Sequence, residues 1–149
     1  MKKFFALALA LVLALSLTVA SADELKVIRV GATAAPHAEI LESEAVTAKL
    51  AELGYKLEVV VYEGYVLENP AVADGTDDAN YFQHKPYLDS YNETASESEQ
   101  LVSAFTVHYE PIAIYSKKVT SLADLQDGAH IGLPNDPSNE TRALLLLEA

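Results

Sequence analysis

The stretch KVIRVGATAAPHAEILESEAVTAKLAELGYKLEVVV, residues 26–61, decides the fold. Lys26–Ala32 is rich in Val and Ile and reads as a buried strand, which Gly31 closes. Pro36 suits the first turn of a helix, and helical spacing runs on to Leu53. Val46, Leu50 and Leu53 recur at i, i+4 and i+7, and Leu41, Ala45 and Ala48 form an adjoining stripe. Glu39, Glu42, Lys49 and Glu52 would face water. Gly54 is placed to end the helix, and Lys56–Val61 reads as a second strand. The chain therefore opens β-α-β, with a connection long enough for a parallel crossover.

Working outward, Asn69-Pro70 and Asp74-Gly75 bracket a short helix, with a capping residue before the Pro and Gly after the end. Ala79–Phe82 reads as a short strand, and Pro86 begins a helix that fades into the polar stretch Asn92–Gln100. Leu101–His108, Ile112–Ser116 and Ala129–Leu133 read as further strands. Ser121–Asp124 fits a capping box. Asn135–Asn139 is a loop, and Asn139–Ala149 a helix with no stop signal after Leu144–Leu147. That ending leads us to expect a fragment whose C-terminal portion is missing. Alternating strands and helices predict an α/β fold with a mainly parallel sheet. In such sheets ligands bind beyond the carboxyl ends of the strands.

The 149 residues carry Lys+Arg 10 against Asp+Glu 22, a formal charge of -12. A polyanion would be repelled, which argues against nucleic acid as a partner. With no Cys there is no disulfide, thiolate metal site, thiol nucleophile or cysteine-linked lipid. Lys2 and Lys3, the apolar run Phe4–Leu15 and Ala20-Ser21-Ala22 form a secretory leader, residues 1–22, with cleavage expected after Ala22. An uncleaved anchor is the alternative, because Phe4–Ala20 approaches the shortest spanning length. Loss of the leader removes two lysines and no acid, leaving 127 residues with a charge of -14.

Three segments follow strands: Tyr62–Tyr65, Phe82–Tyr87, and Asn135–Asn139 with Arg142 one turn into its helix. Tyr62, Tyr65, Tyr81, Phe82, Tyr87 and Tyr91 crowd into thirty residues, which suits either a pocket wall or a Tyr-rich core edge. Arg142 sits where the helix dipole disfavours a cation. With the N–H groups after Asn139 it would make a carboxylate site, or it pairs with Glu140 or Asp136 on the surface. His84, taken alone, reads as a hydrogen-bonded structural residue ahead of a ligand or base. His37, His84, His108 and His130 lack metal-ligand spacing, so no metal site is expected. No nucleophile elbow, dinucleotide fingerprint or Walker A pattern occurs, and neither a cofactor nor a catalytic residue is expected.

Two blocks, ADGTDDANYFQHKPYLDSYN (Ala73–Asn92) and GLPNDPSNETRALLLLE (Gly132–Glu148), closely resemble the NlpA/MetQ family of methionine-binding lipoproteins of ABC importers. VGATAAPHAEIL, YEGYVLENPAVADG and EPIAIYSKKVTSLADLQDG fit the same family in order and spacing, so the resemblance covers essentially residues 26–149. It implies a two-lobed periplasmic-binding-protein-like fold, here reduced to most of lobe one (residues 23–109) and the hinge crossing with the start of lobe two (residues 110–149). It implies L-methionine as ligand, permease subunits as partners, a monomer, and a place in the periplasm or on the outer face of the cytoplasmic membrane. Position by position, Tyr65, Phe82, His84 and Tyr87 match the aromatic side of the methionine site. Asn135, Asn139 and Arg142 match its polar side, with Arg142 on the carboxylate. The family's lipidated Cys is absent: the leader reads Thr18-Val19-Ala20-Ser21-Ala22. Another amino acid or a small methionine-containing peptide is the alternative ligand. A hydrolase using His84 with Asp89 or Glu63, and a surface interaction protein, are the other classes.

Overall fold

The structure, a computed structural model, describes residues 24–149. The leader expected over residues 1–22 lies outside the described residues. Among the described residues, no helix is long and apolar enough to cross a membrane.

Strands β1 (Lys26–Thr33), β2 (Tyr55–Tyr62) and β3 (Ala79–Tyr81) form one parallel sheet in the order β2-β1-β3. The predicted crossover is present: Lys26 pairs with Tyr55 and the register holds to Thr33 with Tyr62. On the other side of β1, Val30, Gly31 and Ala32 pair with Ala79, Asn80 and Tyr81. All three strands therefore end at one edge. The core gathers at the carboxyl half of β1, where Val30 and Ala32 are buried with Ala38, Ala71, Phe82 and Leu88. Burying one such Phe or Leu contributes about 1.5–3 kcal/mol.

The single helix expected from Pro36 to Leu53 is instead broken. A π-helical turn (Ala34–Ala38) runs into α1 (Glu39–Leu41), and α2 (Glu44–Glu52) starts afresh. The physical cause is Ser43, whose backbone is extended at ψ 145°. Its hydroxyl donates back to the Ile40 carbonyl at 2.7 Å. Such local bonds compete with the helical ladder. Leu41, Val46 and Leu50 are half-buried, whereas Ala45, Ala48 and Leu53 stay exposed, so each apolar stripe is used only in part for packing. Gly54 ends the helix as expected, at φ 84°, a value that favours glycine.

The bracketed short helix is α3 (Glu68–Ala73), one residue earlier than its expected cap. Asn69 does not cap it. Its buried side chain enters an amide cluster instead: Asn80 Nδ2 and Gln83 Nε2 donate to Asn69 Oδ1 at 2.9 and 2.7 Å. Asn69 Nδ2 returns a bond to Gln83 Oε1 at 3.1 Å. Gly31 lies under the neighbouring carboxylate, where a Cβ would come within 2.9 Å of Asp77 Oδ2 and of the Tyr62 ring. Asp77 Oδ2 is held there by the Tyr62 hydroxyl at 2.8 Å.

The last helices are α4 (Lys85–Thr94), with Pro86 in its first turn, and α5 (Pro137–Glu148). Ser121 Oγ accepts from the Ala123 N–H and caps a 3-10 turn at Leu122–Asp124, as its capping signal predicts. The strands expected at Leu101–His108, Ile112–Ser116 and Ala129–Leu133 are not formed. Their composition suits strands, but none joins the sheet, and an extended segment without a ladder leaves its backbone groups to water. Val102, Phe105, Tyr109 and Tyr115 accordingly stand exposed.

Replacing Asn69 with Ala removes one of the two partners of each of the Asn80 and Gln83 amide nitrogens and the donor to Gln83 Oε1. The expected cost is about 1–3 kcal/mol, read as a lowered urea midpoint at unchanged slope. An unshifted midpoint would show that the cluster contributes nothing to stability.

Candidate functional site

Two strand ends deliver parts of the site. Beyond β2, Gly64 turns the chain at φ 89° and Tyr65 folds back over the edge. Beyond β3 come Phe82, Gln83 and His84, and the next helix places Tyr87 one turn on. Tyr65, Phe82 and Tyr87 form a closed cluster of three rings. Tyr65 lies 5.3 Å from Phe82 and 5.5 Å from Tyr87, and Phe82 lies 5.8 Å from Tyr87, all edge to face. This is the geometry that the ring quadrupoles favour. Phe82 is 4% exposed, and the Tyr87 hydroxyl donates to the Tyr65 carbonyl. Tyr87 also lines an open cleft of about 260 Å³ between α4 and the first turn of α5, with Tyr91 and Ser138.

The cation comes from α5. Arg142 Nη1 donates to Asn139 Oδ1 at 3.0 Å, and Nη2 reaches the Glu110 carbonyl at 3.4 Å. The alternative pairing with Glu140 or Asp136 is not made: the ion pairs among the described residues do not include Arg142. Asp136 is occupied by its own helix. Its Oδ1 accepts from the Asn139 N–H at 2.9 Å and the Ser138 hydroxyl at 2.7 Å, and its Oδ2 from Asn139 Nδ2 at 3.0 Å. The helix thus begins at Pro137, two residues before its expected start, and of the N–H groups after Asn139 expected to be free for a ligand, that of Glu140 donates to the Asp136 carbonyl at 2.9 Å. Burial pushes the Asp136 carboxyl up, but these bonds outweigh it and hold it below the usual carboxylate range.

The rings and the guanidinium share one neighbourhood. Burial raises the Tyr65 phenol, and Glu110, Asp136 and Glu68 add to it while Arg142 opposes. Burial lowers the His84 imidazole, with the Arg142 charge second and Asp136 opposing. His84 Nε2 is buried without a hydrogen-bond partner. Of the residues singled out in the sequence, Tyr65, Phe82 and Tyr87 therefore meet directly, and His84, Asn139 and Arg142 adjoin them. Asn135 lies exposed ahead of the helix. Asp89 is paired with Lys85. Sequence reasoning gave Asn69 only as a helix cap and did not single out Asn80 or Glu110, because the roles of all three depend on partners far along the chain. Asp136, which caps the helix, reads in the sequence as part of the loop Asn135–Asn139.

The ring cluster and a guanidinium with no carboxylate partner among the described residues thus lie toward the carboxyl edge of a parallel sheet, the side on which such sheets bind ligands. The family model described as NlpA lipoprotein matches residues 28–149. The chain belongs to the NlpA lipoprotein family. It is 45% identical over 153 residues to the methionine-binding lipoprotein MetQ of Bacillus subtilis, covering 99% of this chain and 55% of that protein. Among solved structures it resembles a nutrient-binding protein from Burkholderia cenocepacia bound to methionine. That match has a TM-score of 0.72 and 45% identity, over 81% of this chain and 49% of that one. A periplasmic substrate-binding protein of an ABC transporter from Coxiella burnetii matches with a TM-score of 0.70 and 41% identity, over 81% and 50%. The chain spans about half the length of the curated relatives it matches.

The depressed His84 value has a consequence for stability. Between the folded value and the unfolded one near 6.5, the unfolded chain binds more protons. Stability is then full above the unfolded value and is lost as pH falls through the folded one. Urea unfolding at about pH 7.5 and about pH 5.5 is expected to show lower stability at the acid end. The difference should shrink in His84→Gln; an equal difference in that variant would remove His84 as its source.

Proposed function

We propose that this chain serves an extracytoplasmic solute-binding protein that captures methionine, with L-methionine the favoured enantiomer, and delivers it to the permease of an ABC importer. The observation that carries this reading is the three-ring cluster of Tyr65, Phe82 and Tyr87 beside a guanidinium with no acidic partner. A thioether against aromatic rings gains about 0.3–1.5 kcal/mol. Arg142 would orient the ligand carboxylate through its fork, steadied by Asn139. His84, with a buried nitrogen lacking a partner, would offer it to a polar atom of the ligand. A zwitterion carries no net charge, so the acidic surface does not repel it.

The same reading divides the chain into most of a first lobe, residues 23–109, and a crossing with the start of a second, residues 110–149. The rings would then belong to one lobe and Arg142 to the other, and closure would bury the ligand between them. The names of the relatives support export to the outer side of the cytoplasmic membrane, and the leader over residues 1–22 would be the means. The protein would act as a monomer.

Calorimetric titration of the exported protein with L-methionine, D-methionine and a methionine-containing dipeptide tests the reading. Saturable binding without turnover is expected, tightest for L-methionine. Arg142→Ala should weaken it at least tenfold, in line with about 1.5–3 kcal/mol for a charge-assisted bond, whereas Lys56→Ala should leave it unchanged. Equal affinity in Arg142→Ala removes that residue from the site. Preference for the dipeptide replaces the ligand but keeps the class.

A further inference from the structure

A second cluster lies at the same edge of the sheet, beyond β1, and the methionine reading does not use it. His37 sits in the π-helical turn, 5% exposed, and its ring lies 5.4 Å from that of His108. Both imidazoles direct Nε2 at one carboxylate oxygen. His108 Nε2 lies 2.6 Å and His37 Nε2 3.7 Å from Glu110 Oε1. We propose that His37, His108 and Glu110 form a binding site for a divalent transition-metal cation of the zinc type.

Three features support it. One ligand atom from each residue lies within 4.8 Å of the others, and two nitrogens with a carboxylate oxygen is a donor set that zinc accepts. Tetrahedral bonds of about 2.1 Å place neighbouring donors about 3.4 Å apart, so His108 and Glu110 need only part, and His37 and Glu110 close, by less than about 1 Å. The other ring nitrogen of each histidine is already held. Thr33 Oγ1 contacts His37 Nδ1 at 2.7 Å, and the Tyr81 hydroxyl contacts His108 Nδ1 at 2.6 Å. Such outer contacts fix ligand orientation in metal sites. Both partners are hydroxyls, which donate or accept equally well. Each hydroxyl can therefore accept from an Nδ1–H, the tautomer that leaves Nε2 free for a cation. Finally, the Glu110 side chain is half-exposed, leaving a route for the ion and room for water at a fourth position.

A bound cation would take the place of the direct contact between His108 Nε2 and Glu110 Oε1. The alternative is a hydrogen-bonded triad that only ties residues 105–110 to the sheet edge. Titration of the exported, metal-free protein with Zn2+ separates the two, with Mg2+ as control and Co2+ as an optical probe. One ion per chain is expected, with Zn2+ bound and Mg2+ not, and visible Co2+ absorption of tetrahedral intensity. His108→Gln and Glu110→Gln, both at accessible positions, should each weaken Zn2+ at least tenfold, while His130→Gln should not. Tyr81→Phe should weaken it roughly 10–100-fold through lost orientation. No stoichiometric Zn2+ binding, or equal affinity in His108→Gln and Glu110→Gln with unchanged circular dichroism, would overturn the site.

Discussion

The amide cluster of Asn69, Asn80 and Gln83 is the interaction on which the site side of the molecule depends. Asn80 lies on β3, Asn69 on α3, and Gln83 between the two aromatic contributors Phe82 and His84. Asn80 Nδ2 also donates to the Glu68 carbonyl at 3.1 Å, so the start of the short helix is tied to the same point. Three side-chain amides sharing donors and acceptors at one part-buried point cannot be shifted singly, because each move would cost another its partner. Phe82 is packed under Tyr65 and Tyr87 as a result, rather than free to rotate out over the sheet.

The sheet supplies the complementary constraint. Parallel strands bring their carboxyl ends to one edge, and each of the three strands here delivers a different chemical group. From β1 comes the turn with His37, from β2 the Tyr65 turn, and from β3 the Phe82–His84 segment. Arg142 arrives on a helix whose first turn is closed by Asp136, and its Nη2 reaches the Glu110 carbonyl. Glu110 thus faces both clusters: its carboxylate meets the two histidines and its backbone meets the guanidinium.

Local signals in the sequence reported local structure well. The Val-rich runs Lys26–Ala32 and Lys56–Val61 and the Pro86 and Gly54 punctuation all mark elements where expected, because each depends on residues within a turn or two. Leu101–His108, Ile112–Ser116 and Ala129–Leu133 show the opposite case. Their β-branched and aromatic composition is a strand's, but a strand is a property of pairing, and composition does not name the partner. The same holds for the site. The crowding of tyrosines between residues 62 and 91 announced the ring cluster, whereas nothing local distinguishes Asn69 as a bonding centre from Asn69 as a helix cap. His37 and His108 lie 71 positions apart in the numbering, beyond the reach of any spacing rule for metal ligands.

Sheet pairing is unequal across β1, and this bears on the order in which the molecule assembles. β1 pairs with β2 along its whole length, from Lys26 to Thr33, after one short crossover. β3 adds only Val30, Gly31 and Ala32 to its partners and is far more distant along the chain. The β1–β2 unit closes the smaller loop and forms the greater number of ladder bonds, so it is the natural nucleus, and β3 docks on it late. By the same token β3 is where transient opening begins. Hydrogen exchange at Asn80 and Tyr81 would therefore run ahead of exchange along β1, and the binding wall would breathe while the rest of the sheet stays shut.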